Sequence, residues 1–144
     1  MFTVKIVMTE EEKEDAFSVR RKVFVEEQGV PLSLELDELD NTSSHFVVYN
    51  ENVPIGAGRI RESNAGIGKV ERVCILPEFR GKHLGKSIMQ SLEDHAAVQN
   101  FEKVVLNAQS QAIPFYERIG YVITSPEFMD ADIPHRTMEK IITK

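Results

Sequence analysis

Apolar residues recur at helical spacing in three parts of the chain. The first predicted helix spans residues 9–28 and starts where Thr9 and Glu12 fit a capping box. Ser110 is a candidate N-cap for a short helix that runs through Arg118. Between these two, a further helix is predicted from an apolar stripe formed by Leu84, Ile88, Met89, Leu92 and Ala96.

Runs of apolar, often β-branched, residues predict strands before, between and after these helices. They cover residues 2–8, 45–49, 55–61, 69–76, 104–107, 121–124 and 136–142. Residues 33–44 are predicted to form a polar, acidic loop. Neither a repeat nor a linker interrupts this order of helices and strands, so the sequence predicts one α/β domain over residues 1–144.

The composition is that of a globular domain with an acidic balance. The 144 residues are 42 % hydrophobic and carry a net charge of −6 at pH 7, so we expect no nucleic-acid partner. No apolar run reaches the roughly 18 residues that span a bilayer, and residues 1–15 lack the features of a secretory signal. We therefore expect a cytoplasmic protein without a membrane partner. Cys74, the only cysteine, is expected to be a small buried hydrophobic residue.

The segment RGKHLGKS, residues 80–87, concentrates three cations and two glycines between a predicted strand and a predicted helix. Cations at a helix N-terminus oppose the helix dipole unless an anion joins them, so the segment indicates an anion site. A P-loop reads G-x-x-x-x-G-K-[ST], but Arg80 stands in place of its first glycine. Asn107 also follows a strand where a magnesium-binding aspartate is expected, so a P-loop is disfavoured.

A helix N-terminus that binds a pyrophosphate without a metal explains the same residues better. Its free backbone N–H groups attract an anion, and Gly81 and Gly85 let that anion approach closely. The guanidinium of Arg80 can add a bidentate contact. The preceding strand ends at Pro77, so backbone groups of residues 73–75 are expected to pair with an extended ligand.

Two motifs resemble those of the GNAT superfamily of N-acetyltransferases. RGKHLG, residues 80–85, resembles its acetyl-coenzyme A motif [QR]-x-x-G-x-[GA], with His83 at the first motif glycine. LNAQSQAIPFYERIGYV, residues 106–122, is similar to a later motif in which a strand ends in Asn and a helix carries Pro-Phe-Tyr-Glu before Gly-Tyr. Residues 20–31, 34–40 and 45–49 further resemble small ElaA-like bacterial members.

The resemblance implies a mixed, largely antiparallel central sheet, flanked by about four helices and splayed at the cofactor site. It also implies direct transfer of an acetyl group from acetyl-CoA to a primary amine, without a metal. The residues implied in cofactor binding are Val73, Cys74, Ile75, Arg80, Gly81, Lys82, His83, Leu84, Gly85, Lys86, Asn107 and Tyr116. Among them, Asn107 is expected to bond the pantetheine arm through its amide.

Tyr116 and Glu71 are the candidate catalytic residues. In the family, a tyrosine at the position of Tyr116 faces the thioester, and its hydroxyl can protonate or hydrogen-bond the leaving sulfur; the alternative is a tyrosine that only packs. The amine must lose a proton before it attacks, and a base is needed for this step. On an ideal strand Glu71 shares a face with Val73 and Ile75, so it is the candidate base. The alternative is a surface ion pair with Arg72 or Arg59.

Several questions stay open at this point. The acidic residues of segment 35–40 either form a solvated loop or draw a cationic amine towards the site. His95 and His135 are expected at the surface. The acceptor is a small-molecule or protein amine, and a non-catalytic sensor of CoA or acyl-CoA is the alternative function. The oligomeric state is also open, with a homodimer as the candidate, because dimers are the commonest oligomers.

Overall fold

The computed structural model describes residues 1–142. Its sheet has eight strands: β1 (Phe2–Ile6), β2 (Ser44–Asn50), β3 (Val53–Asn64), β4 (Ile67–Ile75), β5 (Lys103–Gln109), β6 (Val122–Ile123), β7 (Phe128–Asp130) and β8 (Ile133–Ile141). They lie in the order β1-β2-β3-β4-β5-β8-β6, and β7 pairs with β8. Within residues 1–142, only β4 and β5 run parallel.

The helices are α1 (Glu10–Arg20), α2 (Leu32–Glu35), α3 (Leu84–Val98) and α4 (Ile113–Arg118). A π-helical segment, Arg21–Glu27, continues α1. Three 3₁₀ turns, Glu38–Thr42, Pro77–Phe79 and Ser110–Ala112, complete the helical structure of residues 1–142. Thr9 caps α1 as predicted, since its hydroxyl accepts from the Glu12 N–H at 3.1 Å. The predicted fold class, a mixed and largely antiparallel sheet with four helices, is confirmed.

Three local predictions are wrong. Residues 33–44 are not an open loop, because they contain most of α2 and a 3₁₀ turn whose start Asp37 caps. Ser110 caps no helix; its hydroxyl instead donates to a Glu127 carboxylate oxygen at 3.1 Å. The short strand β7 was not predicted, since three residues are too few to show a period.

Helices cover the sheet on both faces. Apolar side chains of α3 pack on one face, here called the α3 face, where Val70, Leu106 and Met138 are buried. Ala16 and Val19 of α1 pack on the opposite face, called the α1 face, against Val47, Ala57 and Cys74. Cys74 is therefore a buried hydrophobic residue, as expected.

The sheet opens between its two parallel strands. Residues 67–70 of β4 pair with residues 103–106 of β5, and the pairing ends at Val70 and Leu106. Beyond that point β4 keeps its bonds to β3, and β5 keeps its bonds to β8. Within residues 1–142, the facing edges of β4 and β5 beyond this point pair with no strand, so backbone groups there can hydrogen-bond a ligand.

A β-bulge in β4 changes which face its residues occupy. Ala57 pairs with Cys74 and Arg59 pairs with Glu71, so two residues of β4 lie opposite one residue of β3. Arg72, inside the bulge, has a φ of 62°. Ala57 and Arg59 are two residues apart on β3 and share a face, so Glu71 lies with Cys74 on the α1 face. The prediction that Glu71 shares a face with Val73 and Ile75 is wrong, because both of these pack on the α3 face.

Candidate active site

A cleft of about 1050 Å³ occupies the opening between β4 and β5. The separated parts of both strands line it, together with the end of the π-helical segment, the loop before α3, the helix α4 and the start of β8. Because lining residues come from both faces of the sheet, the cleft joins the α3 face to the α1 face. Eleven of the twelve residues predicted to bind the cofactor border it, and Lys82 does not.

The N-terminus of α3 opens onto this cleft without a side-chain cap. His83 stands at the N-cap position with a φ of 63°, and its side chain makes no capping hydrogen bond. The first N–H groups of a helix have no intrahelical partner, so they are available to an anion. Gly81 has a φ of 81°, and a Cβ placed on it would meet nothing within 4 Å. Its backbone is therefore accessible from outside.

Gly85 also allows a close contact between two helices. A Cβ at this position would lie 3.1 Å from the Phe115 ring of α4. The missing side chain therefore lets α4 pack closely against the first turn of α3. This contact places Tyr116, the next residue of α4, beside the same helix N-terminus.

Arg80 joins three parts of the cleft wall. Its Nε donates to the Ile75 carbonyl at 2.9 Å, which ties it to the end of β4. Its two terminal nitrogens donate to the Glu27 carboxylate at 2.8 and 2.7 Å, which ties it to the π-helical segment. The pair is partly exposed, so the guanidinium is accessible to an anion in the cleft.

Tyr116 is half-buried in the cleft, and its hydroxyl makes no hydrogen bond within residues 1–142. Its ring contacts Phe115 and Tyr121 edge to face, with centroid distances of 5.0 and 5.8 Å. Burial raises the pKa of Tyr116 to about 12, so the phenol is protonated at neutral pH. The packing holds the ring while the hydroxyl stays available as a donor.

Asn107 and Gln109 extend from β5 on the α1 face. The Thr137 hydroxyl of β8 donates to Asn107 Oδ1 at 2.8 Å, which leaves the amide N–H₂ of Asn107 for another partner. Gln109 Nε2 donates to Gln28 Oε1 at 2.8 Å and links β5 to the end of the π-helical segment. Only Asn107 of these two was predicted as a site residue, although Gln109 follows it at strand period.

Glu71 reaches the cleft from the α1 face, but arginines hold its carboxylate. Glu71 Oε1 accepts from Arg59 Nε and Nη2 at 3.2 and 3.0 Å and from Arg61 Nε at 3.0 Å. Burial on its own would raise the pKa of Glu71, but Arg59 and Arg61 more than offset it and hold the pKa below its ordinary value. The ion pair with Arg59 that the sequence left as an alternative is therefore present.

The acidic segment 35–40 is largely buried, which disfavours a solvated loop, the first of its two alternatives. Glu35 is 1 % exposed and pairs with Arg20, which is equally buried. Asp40 lies between Arg20 and Arg59, at 2.8 and 2.7 Å from their nearest nitrogens. Burial alone would raise the pKa of Asp40, but the two arginines outweigh burial and lower it. These charges link α1, α2 and β3 on the α1 face.

His135 is a further cleft residue that the sequence did not predict. The expectation of a surface position is wrong, since His135 is 8 % exposed and borders the cleft from β8. Its Nδ1 lies 2.7 Å from the Ile133 carbonyl oxygen, and its ring stacks on Phe128 at 6.0 Å. A lone histidine in a short strand carries no sequence signal for this placement, because it depends on the register of β5 with β8.

Cys74 borders the cleft with a buried thiol. Burial raises the pKa of the Cys74 thiol to about 12, so it is protonated at neutral pH. Within residues 1–142, no three or more His, Cys, Asp or Glu side chains gather in a geometry suited to a metal ion. In the same range no helix is both long and apolar enough to cross a membrane.

Comparison with known proteins identifies close relatives. Residues 6–142 match the family described as acetyltransferase (GNAT) domain. The chain is similar to the uncharacterized N-acetyltransferase YjcF of Bacillus subtilis (strain 168), with 49 % identity over 136 residues that cover 94 % of this chain and 96 % of that protein. Its fold is similar to that of Escherichia coli ElaA, with a TM-score of 0.88 and 21 % identity over 97 % of this chain and 99 % of that one. It is also similar to an acyl-CoA N-acyltransferase from Pseudomonas aeruginosa, with a TM-score of 0.83 and 26 % identity over 97 % and 98 % of the two chains.

Proposed function

The chain belongs to the acetyltransferase (GNAT) family, and on that premise we propose that it transfers an acetyl group from acetyl-CoA directly to a primary amine. One observation carries the proposal. The uncapped N-terminus of α3 and the unpaired hydroxyl of Tyr116 open onto the same cleft. The first suits a pyrophosphate, and the second suits a departing thiolate.

The residues of the cleft fit acetyl-CoA. Backbone N–H groups at residues 81–86 would hold the pyrophosphate. Arg80 and Lys86, the two cations of this segment that border the cleft, would add charged contacts. The free edge of β4 beyond Val70 would pair with the pantetheine arm as an added strand. The Asn107 amide N–H₂ would bond the same arm from β5. Acetyl-CoA, when bound, supplies the acyl thioester.

We propose that the acceptor amine approaches from the α1 face, opposite α3. Glu71 is ionised there, and within residues 1–142 the arginines hydrogen-bond only its Oε1, which leaves Oε2 to contact an ammonium group. A carboxylate with a lowered pKa is a weak base, so we no longer assign Glu71 the role of base and propose only that it attracts the acceptor. The protonated, buried Cys74 thiol is a poor nucleophile, which favours direct attack over an acyl-cysteine intermediate.

Ligand binding tests this proposal without knowledge of the acceptor. We expect acetyl-CoA to stabilise the protein without added metal, because the chain's own N–H groups and cations hold the pyrophosphate. At 100 times its Kd, a ligand adds about 2.7 kcal/mol to the free energy of unfolding. A thermal shift assay with acetyl-CoA, CoA and Mg-ATP at equal concentrations measures the effect. Stabilisation by Mg-ATP but not by acetyl-CoA would contradict the proposal.

An acceptor screen then separates an enzyme from a sensor. Small amines, polyamines, amino sugars and lysine peptides are incubated with acetyl-CoA, and the release of free thiol is followed. An enzyme releases thiol faster than spontaneous hydrolysis with at least one amine. A protein that binds acetyl-CoA and releases no thiol with any of them is a sensor. Cytoplasmic location and single-domain organisation over residues 1–144 stay predictions.

Replacing Arg80 tests the phosphate site. We expect Arg80→Ala to weaken acetyl-CoA binding by about 1.5–3 kcal/mol, the range of a charge-assisted hydrogen bond, as measured by isothermal titration calorimetry. Lys103→Ala is the matched control, because it removes a cation that pairs with Glu139 outside the cleft.

Glu27→Gln shows how Arg80 acts. If Arg80 contacts phosphate, release from Glu27 should leave the affinity unchanged or increase it. If Arg80 only braces the π-helical segment, Glu27→Gln should lose as much affinity as Arg80→Ala. Full affinity in Arg80→Ala would mean that backbone N–H groups alone hold the pyrophosphate.

A further inference from the structure

His135 has a defined tautomer in the neutral state. Its Nδ1 lies 2.7 Å from the Ile133 carbonyl oxygen, which can only accept a hydrogen bond. Nδ1 therefore carries the proton, and Nε2 carries the lone pair. Within residues 1–142, Nε2 makes no hydrogen bond. The parallel ring of Phe128, 6.0 Å away, fixes the plane in which this lone pair points.

The strand register places His135 on the acceptor side of the cleft. On β8 and β5, His135 lies opposite Gln109 and Thr137 lies opposite Asn107. Leu106 and Met138, the next pair along, are buried on the α3 face, so His135 and Asn107 lie on the α1 face. Glu71 reaches the same face from the other side of the opening.

Four other ionisable groups that border the cleft do not suit the task of a base. Three arginine N–H groups occupy one oxygen of Glu71, and Glu35 is paired with buried Arg20. Tyr116 is protonated, as its raised pKa shows. His83 lies at the N-terminus of α3, on the side where the phosphates would bind.

We propose that His135 Nε2 is the base that takes a proton from the acceptor ammonium, directly or through one water. This inference rests on the proposed acetyl transfer. One proton passes from the ammonium to Nε2 and then to solvent. The neutral nitrogen forms the C–N bond as the C–S bond breaks, and sulfur leaves as a thiol. Tyr116 gives its proton to the leaving sulfur. The nitrogen, once bonded to the acetyl carbon, loses a second proton, and this proton restores the Tyr116 hydroxyl, so protons and electron pairs balance.

The test uses the amine that the acceptor screen identifies. His135→Gln keeps a polar side chain of similar length but cannot carry the proton. We expect its kcat/KM for the amine to fall about 10²- to 10⁴-fold, the usual contribution of a general base. Its Kd for acetyl-CoA, measured by calorimetry, should change less than about twofold, which also shows that the variant is folded. His95→Gln, on α3 and outside the cleft, is the matched control and should keep full activity.

Rescue and pH dependence distinguish a base from a structural residue. Added imidazole should restore part of the activity of His135→Ala but not of Tyr116→Phe. Activity that requires neutral His135 falls as the pH is lowered, and His135→Gln should lose this limb of the profile. The other charged groups that border this side of the cleft are Glu35, Glu71, Arg72 and Asp130, so Asp130→Asn should keep the limb.

Each outcome decides the proposal. Unchanged kcat/KM in His135→Gln, or His135→Ala without imidazole rescue, overturns the role of His135 and leaves the proposed acetyl transfer intact. A wild-type protein that acetylates no amine overturns both. Low activity in His135→Gln together with lost acetyl-CoA affinity would assign His135 to structure, and the missing rescue would confirm that assignment.

Discussion

Replacing Tyr116 with phenylalanine is expected to lower kcat by roughly 10- to 10⁴-fold while the affinity for acetyl-CoA barely changes. Phenylalanine keeps the edge-to-face contacts with Phe115 and Tyr121 and removes only the hydroxyl. That hydroxyl makes no hydrogen bond within residues 1–142, so its loss disturbs no internal contact. Without the donor, negative charge on the leaving sulfur is not stabilised, and the chemical step slows.

Single-turnover measurement is needed, because product release can hide a change in the chemical step. Tyr49→Phe is the matched control. Its hydroxyl donates to Asp15 at 2.6 Å, and the residue lies outside the cleft. Equal single-turnover rates in wild type and Tyr116→Phe would remove Tyr116 from the mechanism and leave it a packing residue.

Arg59→Met is expected to lower the free energy of unfolding by about 3–5 kcal/mol, the range for a buried charge that loses its partner. Arg59 is 0 % exposed and donates to three carboxylates, those of Asp37, Asp40 and Glu71. Methionine fills part of the volume and leaves these carboxylates short of a counter-charge. Urea denaturation at pH 7 measures the change.

Arg21→Met provides the comparison for Arg59→Met. Arg21 is partly exposed and lies 3.8 Å from Glu14, so its loss should change the free energy of unfolding by less than about 0.5 kcal/mol. Similar losses in the free energy of unfolding in the two variants would contradict the larger contribution expected from the buried network of Arg59, Asp37, Asp40 and Glu71.

The pH dependence of stability gives a second readout for the same network. The folded-state pKa values of Asp37, Asp40 and Glu71 are all lowered. The stability that such groups contribute is fully present above their pKa values in the unfolded state, which are near 4. It is lost as the pH falls through their lower pKa values in the folded state. Arg59→Met should therefore flatten the loss of stability between about pH 5 and pH 2 relative to wild type.

Much of the fold follows from local pattern. The five residues of the apolar stripe that predicts α3, from Leu84 to Ala96, are all buried in the structure. Apolar strand runs likewise located most of the sheet, and Pro77 marked the end of β4. Residues 80–85 predicted an anion site at the start of α3, and the structure leaves this N-terminus without a side-chain cap. Roles of individual site residues still await the experiments above.

The arrangement of residues on the α1 face could not be predicted from local sequence. Glu71 changes face because a bulge forms where β4 pairs with β3, and strand alternation contains no record of that pairing. The acidic segment looked solvated because the arginines that bury it, Arg20 and Arg59, lie 15–20 residues away in the chain. His135 enters the cleft only through its register with Gln109.

The sequence by itself determined the order of helices and strands, the family resemblance and the loop that begins α3. These features depend on hydrophobic period, glycine and proline, which act over a few neighbouring residues. The tertiary structure decided which charges are buried together, which face Glu71 occupies and that His135 borders the cleft. These depend on pairing between residues distant in the chain, and the energy of a charge depends on the partners that folding brings to it.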